Sequence, residues 1–213
     1  MTCTDDATVF VIDDDVRIRA ATERLLKSVG LHAELFDTAK DFLTRKLTDG
    51  PSCLVLDVRL PGMSGLDVQR KLAEAGVQIP VIFITGHGDI PMTVTAMKSG
   101  AVDFLTKPFR DQDLLDAIQQ ALQRHRETRE QQREIQQLKD RYQTLTARER
   151  EVMALLFSGM LTKQIATKIG TSEITAHVHR AQVMHKMHAN SPVELGRMAE
   201  KLKLSGNELA PHR

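Results

Sequence analysis

In the first 122 residues, short and continuously apolar runs alternate with amphipathic stretches, a pattern that few folds accept. The runs are Thr8–Ile12, His32–Phe36, Cys53–Asp57, Val81–Thr85 and Val102–Thr106. Three of them contain VFVI, CLVL and VIFI with no polar alternation, as parallel strands covered on both faces do. Between the runs, apolar residues recur at helical spacing. Val16, Ala20, Leu25, Leu26 and Val29 form one stripe, and Thr38–Leu47 holds a shorter one. Leu66, Val68, Leu72 and Ala75 form the next, followed by Met92, Val94, Ala96 and Met97. Leu114, Leu115, Ile118, Ala121 and Leu122 form the last. Strands alternating with helices in this way predict an α/β fold: a five-stranded, doubly wound parallel sheet with right-handed crossovers. Such sheets bind ligands beyond the carboxyl ends of their strands, so the chemistry is expected there.

From Gln112 to Tyr142 no Pro or Gly interrupts the chain, and the sequence favours helix. Leu115, Ile118, Leu122 and His125 form one short seam. Ile135, Leu138, Tyr142 and Leu145 form a second, one residue out of phase with the first. A solvated linker helix and a short intermolecular coiled coil both fit this pattern. An unbroken helix would hold the flanking domains apart. The remainder reads as short helices, LTAREREVMALLFSG, TKQIATKIG, SEITAHVHRAQVMHKM and SPVELGRMAEKL. Thr146 with Glu149 has the offset of a capping box, Ser172 and Ser191 are caps, and Pro192 suits a first helical position. The predicted domains are therefore 1–122, a linker at 123–144, and a small all-α domain at 145–213.

Charge divides along the same boundaries. Residues 1–122 hold 13 basic and 18 acidic side chains, and residues 145–213 hold 10 and 6. An acidic front and a basic back point the C-terminal part toward nucleic acid. With aromatics at 4% and no Trp, a binder built on base stacking is disfavoured. The two cysteines, Cys3 and Cys53, offer neither metal-ligand spacing nor a disulfide framework. The N-terminal segment lacks signal-peptide character. No apolar run approaches the roughly 20 residues of a membrane span. The expectation is a cytoplasmic protein without membrane attachment.

The strand ends carry the chemistry. Asp13, Asp14 and Asp15 follow the first strand, Asp57 ends the third, Thr85 the fourth, and Lys107 follows the fifth. Singly, each has an ordinary reading: the triplet as a helix cap, Asp57 and Thr85 as turn residues, Lys107 as a surface lysine. Jointly they form a phosphoryl-transfer site. Converging carboxylates repel unless a cation sits among them, and oxygen-only ligation suits Mg²⁺ (or Mn²⁺). A hydroxyl and an ammonium would then hold an oxyanion, with a carboxylate as nucleophile.

VFVIDDD, CLVLDVRLPGMSGLD, VIFITGHGD and VDFLTKPF, in this order and spacing, resemble the flavodoxin-like receiver domain of NarL/FixJ-type two-component response regulators. The resemblance implies that Asp57 accepts a phosphoryl group. It implies that Asp14, Asp57 and the Arg59 backbone carbonyl ligate the metal, with Asp13 acting mainly through water. Thr85 and Lys107 would contact the phosphoryl oxygens, and Asp15 would be a cap. Gly86, lacking a side chain, would leave a path to the site. Phe104 stands where the family places an aromatic switch that works with Thr85; an ordinary core Phe is the alternative.

TKQIATKIG-TS-EITAHVHRAQVMHKM fits a helix-turn-helix whose second helix lies in the major groove, although a generic helical interaction domain fits as well. The stretch from Leu145 onward is similar to the LuxR-type helix-turn-helix that follows such receivers. That resemblance implies that Thr175 places the recognition helix and that His177, Val178 and Ala181 face bases. It assigns Lys163, Arg180 and Lys186 to phosphate. His177 replaces a common family Lys, and Thr162 replaces an Asn. His179 matches a common family His. Within the family the details are nearer to StyR/TodT-like regulators of aromatic-hydrocarbon catabolism than to NarL. The implied function is a phosphorylation-dependent transcriptional regulator, an activator rather than an enzyme. Its implied partners are a sensor histidine kinase, double-stranded promoter DNA, RNA polymerase and a second copy of itself.

Two rivals remain. One is a Mg²⁺-dependent phosphatase or phosphotransferase using an aspartyl-phosphate, since the aspartate triplet resembles a haloacid dehalogenase motif. Against it, Arg17 stands where that motif wants Thr or Val, and there is no cap insertion. The other is a DNA binder indifferent to phosphorylation.

Overall fold

The computed structural model describes residues 7–45, 47, 49–86 and 90–202. Strands β1 (Thr8–Ile12), β2 (His32–Phe36), β3 (Ser52–Asp57), β4 (Val81–Thr85) and β5 (Asp103–Thr106) form one sheet. All pairs are parallel, in the order β2-β1-β3-β4-β5. Helices α1 (Val16–Ser28), α2 (Ala39–Leu43), α3 (Gly65–Glu74), α4 (Ile90–Lys98) and α5 (Asp111–Gln143) follow the strands in turn. The sheet is doubly wound, as the alternating pattern predicts.

Because successive strand residues face opposite ways, each central strand feeds two cores. Phe10, Ile12, Leu54, Leu56 and Phe83 pack against α2, α3 and α4 through Phe42, Val68, Leu72 and Ala96. Val9, Val11, Cys53, Val55, Ile82 and Ile84 pack against α1 and α5 through Leu26, Leu114 and Ile118. That is why these strands read as unbroken apolar runs. Fully burying one such side chain stabilises by roughly 1.5–3 kcal/mol.

The helical stripes need three corrections, the first being that Ala75, at the C-terminal cap of α3, is exposed. In α1 the buried positions are Thr22 and Leu26, while Val16 and Val29 lie at the helix ends and are exposed. In α4 Ala96 is buried but Val94 and Met97 face outward. The latter pair therefore forms an apolar surface on that helix rather than part of the core.

The chain divides into two compact units, residues 1–129 and 130–213. In the first, His125 on α5 is buried, and its Nδ1 accepts the Ser52 N–H at 2.8 Å. One turn on, the Arg129 guanidinium donates to the Asp49 carbonyl. In the second, Leu138 is buried, and Tyr142 and Leu145 join the C-terminal core. Two members of the second seam, Tyr142 and Leu145, thus pack within their own unit.

The C-terminal unit contains α6 (Ala147–Phe157), α7 (Thr162–Lys168), α8 (Glu173–Met187) and α9 (Pro192–Lys201). Their core includes Val152, Met153, Ile165, Val183, Met187 and Leu195. Thr146 and Glu149 make the reciprocal capping box, Ser172 caps α8, and Ser191 caps α9 with Pro192 behind it. A cap of this kind contributes about 1 kcal/mol.

Candidate functional site

The sheet register sets the site. Ile12 pairs with Leu56, Asp57 with Ile84, and Thr85 with Thr106. The residues at or just past these ends, Asp13, Asp57, Thr85 and Lys107, therefore share one edge. Backbone bonds fix the join: Val58 N–H donates to the Ile84 carbonyl at 3.0 Å, and Lys107 N–H to the Thr85 carbonyl at 2.7 Å.

Lys107 Nζ lies 2.6 Å from Asp13 Oδ2 and 2.6 Å from Asp57 Oδ2. The second oxygen of each carboxylate accepts a backbone N–H, from Asp15 to Asp13 and from Arg59 to Asp57, both at 2.9 Å. Asp13 and Thr85 are fully buried and Asp57 nearly so, whereas Asp14 is exposed. Burial pushes the Asp13 carboxyl above its ordinary value, against the pull of Lys107. Burial works against the charge of Lys107 too, but its bonds to Asp13 and Asp57 prevail and hold the ammonium above its ordinary value.

One ligand oxygen from each of Asp13, Asp14 and Asp57 lies within 4.8 Å of the other two. Three carboxylates exceed the charge of one ammonium, and all the donors are hard oxygens. This set fits a small divalent cation that keeps part of its water shell. Asp15 stands apart, as the sequence predicts. Its side chain caps α1 by accepting the Arg17 N–H at 2.8 Å, and the Arg17 guanidinium lowers its pKa to about 2.

Gly65 is a site residue that sequence reasoning missed. A Cβ there would sit 2.5 Å from the Asp57 carbonyl oxygen and 3.1 Å from Phe83. Gly65 N–H also donates to the Val58 carbonyl at 2.9 Å. Helix α3 therefore approaches the end of β3 more closely than any side chain allows. The only hint in the sequence is the glycine pair of LPGMSG. At Gly86 a Cβ would meet nothing within 4 Å among the described residues. Phe104 is half-buried, its ring 6.3 Å from that of Phe83. Residues 87–89 of the TGHGD motif lie outside the described residues.

In the C-terminal unit, α7 and α8 form the expected helix-turn-helix pair. Lys163, Thr175, His177, Val178 and Ala181 are exposed. Thr175 N–H donates to the Ser172 hydroxyl at 3.1 Å, which ties it to the helix start. Arg180 is half-buried and donates to Thr162 Oγ1 at 3.0 Å, locking α8 to α7. Lys186 lies 2.7 Å from Glu149, a buried carboxylate on α6, and also donates to the Thr144 carbonyl at 3.3 Å. Its ammonium thus holds α8 to the unit's own interior. Ile174, in the first turn of α8, is 79% exposed.

The chain matches the response regulator receiver domain over residues 9–119 and the luxR family of bacterial regulatory proteins over residues 143–199. It is similar to nodulation protein W of Bradyrhizobium diazoefficiens, 53% identical over 201 residues, or 94% of this chain and 88% of that protein. It is also similar to response regulator protein TmoT of Ectopseudomonas mendocina, 47% identical over 198 residues, or 93% of this chain and 90% of TmoT. Among solved structures, response regulator StyR is similar with a TM-score of 0.84 and 46% identity, covering 92% of this chain and 99% of that one.

Proposed function

Because the chain belongs to the two-component response regulators, with a receiver domain and a luxR-family DNA-binding domain, we propose that its regulation rests on phosphorylation of Asp57. The observation that carries this reading is the single ammonium of Lys107 bridging Asp13 and Asp57 beside Asp14. The expected division is a receiver at 1–122, a linker at 123–144 and a DNA-binding domain at 145–213.

A sensor histidine kinase would present a phosphohistidine. An Asp57 carboxylate oxygen attacks phosphorus, the P–N bond breaks, and its electron pair leaves with the imidazole. Asp14, Asp57 and the Arg59 carbonyl, with Asp13 mainly through water, would hold Mg²⁺ (or Mn²⁺), which would supply positive charge to offset that of the phosphoryl group. Lys107 already touches Asp57 and can follow the new charge, while the Thr85 hydroxyl, at the neighbouring strand end, donates to it. The phosphoryl group adds roughly −1.5 to −2 charge and new acceptors. Lys107 then divides its bonds differently, and Thr85 and Phe104 shift with it. The surface of α4, β5 and α5, on which α4 exposes Val94 and Met97, becomes the contact with a second copy.

A dimer presents two α8 helices to a roughly two-fold DNA site, through which the protein acts in the cytoplasm with RNA polymerase as an activator. His177, Val178 and Ala181 face bases and Lys163 faces phosphate. Thr175 and Arg180 set the pose of α8. Lys186 serves through its bond to Glu149, in place of the phosphate contact expected from its position in the sequence.

The test is labelling with radioactive acetyl phosphate in Mg²⁺. One acid-stable, base-labile phosphate per chain is expected on the natural protein and none on Asp57→Asn. Undiminished labelling of that variant would overturn the assignment.

A further inference from the structure

Resting on the DNA-binding reading of α8, we propose that Ile174, Val178 and Ala181 read thymine methyl groups in the major groove. Base choice at those positions would then come from apolar contact rather than from bidentate hydrogen bonds.

Along α8, Ala176, Val183 and Met187 are buried and bind the helix to its own unit. Ile174, Val178, Ala181 and His185 recur at spacings of four, three and four and lie on the opposite, exposed face. Ile174 is 79% exposed and Val178 53%. No packing need within the unit explains two β-branched side chains, Ile174 and Val178, turned to water one turn apart, and such a pair marks a contact surface.

The surroundings say what covers it. Residues 145–213 hold 10 basic against 6 acidic side chains. Lys163, next in the chain to the Thr162 that Arg180 holds, is exposed beside the helix. This is a surface for a polyanion, and the N-terminal half of such a helix is the part that reaches base edges. The side chains that pair bidentately with guanine or adenine are Arg, Lys, Asn and Gln. The outward stripe has none of them; His177 and Gln182 flank it. The group in the major groove that an aliphatic side chain can recognise is the thymine C5-methyl.

The experiment uses the full chain, phosphorylated with acetyl phosphate, and a pool of duplexes with a randomised core. Each thymine of the enriched duplex is then replaced singly by deoxyuridine, which removes only the methyl. Affinity is expected to fall about fourfold at each contacted thymine, the factor for burying one methyl-sized group. Val178→Ala should abolish the loss at one position and Ile174→Ala at another. Deoxyuridine tolerated at every thymine, with the duplex still selected, would overturn this inference alone. Failure to enrich any duplex would overturn the DNA-binding reading beneath it as well. Self-association without DNA that Ile174→Ala removes would give the stripe to a second copy and overturn the proposal.

Discussion

Gly65 shows how tightly single residues constrain the backbone at Asp57. A methyl group there would press on the Asp57 carbonyl and on Phe83, and neither backbone nor buried ring can yield cheaply. Gly65→Ala should cost about 1–3 kcal/mol, as overpacking does. It should also depress acetyl phosphate labelling beyond what lost folding explains. Thermal unfolding and labelling of the soluble fraction together check this, and an unchanged labelling rate would contradict it. Glu149 makes a prediction of the opposite kind. Burial would raise its pKa, but the Lys186 ammonium and the Thr146 cap prevail and hold it below its ordinary value of 4.5. A depressed carboxylate stabilises fully above the unfolded pKa and loses that contribution as pH falls through the folded one. Unfolding followed in the C-terminal unit should thus show an acid limb that Glu149→Gln flattens. Much at this scale could be read from sequence. Asp14, Asp57, Thr85 and Lys107 declare themselves because strand ends are easy to find and their chemistry is complementary. Gly65 and Ile174 do not, because a close approach and an exposed apolar face are three-dimensional facts. The intramolecular bond of Lys186 was hidden for the same reason: a lysine on a recognition helix looks the same whether it meets phosphate or Glu149.

Among the elements, α5 carries the sharpest lesson. Its length, Asp111–Gln143, agrees with the stretch free of Pro and Gly, and of its first seam Ile118, Leu122 and His125 are buried while Leu115 is half-buried. The polar composition of the rest suggested a helix in solvent or in a coiled coil. His125, the last residue of the first seam, is clamped to Ser52 at the start of β3; further along, Leu138 is buried and Tyr142 joins the core of the second unit. A lone histidine or leucine in a polar sequence carries no mark of the partner it finds. Burial, together with the nearby Arg129 charge, holds His125 below the ordinary imidazole value of 6.5. The neutral ring is also the form that accepts the Ser52 N–H. Its contribution is therefore complete above pH 6.5 and is lost as pH falls through the lower, folded value. Hydrogen-exchange protection of the Ser52 amide should drop on mild acidification. His125→Gln should remove that pH dependence, and protection insensitive to pH in the natural protein would refute the clamp. The outward Val16, Val29, Val94 and Met97 teach the complementary point, that helical periodicity finds a stripe but not where the stripe leaves the core.

For the whole molecule, residues 1–122 are acidic on balance and residues 145–213 basic, in keeping with the proposed division between phosphate uptake in the first part and a grip on DNA in the second. The grip should have an electrostatic signature. Lys163→Ala should weaken binding to all duplexes alike and reduce the slope of log affinity against log salt by about 0.9, the value for one phosphate contact. A change confined to one sequence would instead make Lys163 a base reader. The link between the ends is the central claim, and DNA affinity measured with and without acetyl phosphate and Mg²⁺ tests it, on the natural protein and on Asp57→Asn. The phosphodonor should tighten binding of the natural protein and leave the variant unchanged. Equal tightening of both, or of neither, would contradict the account.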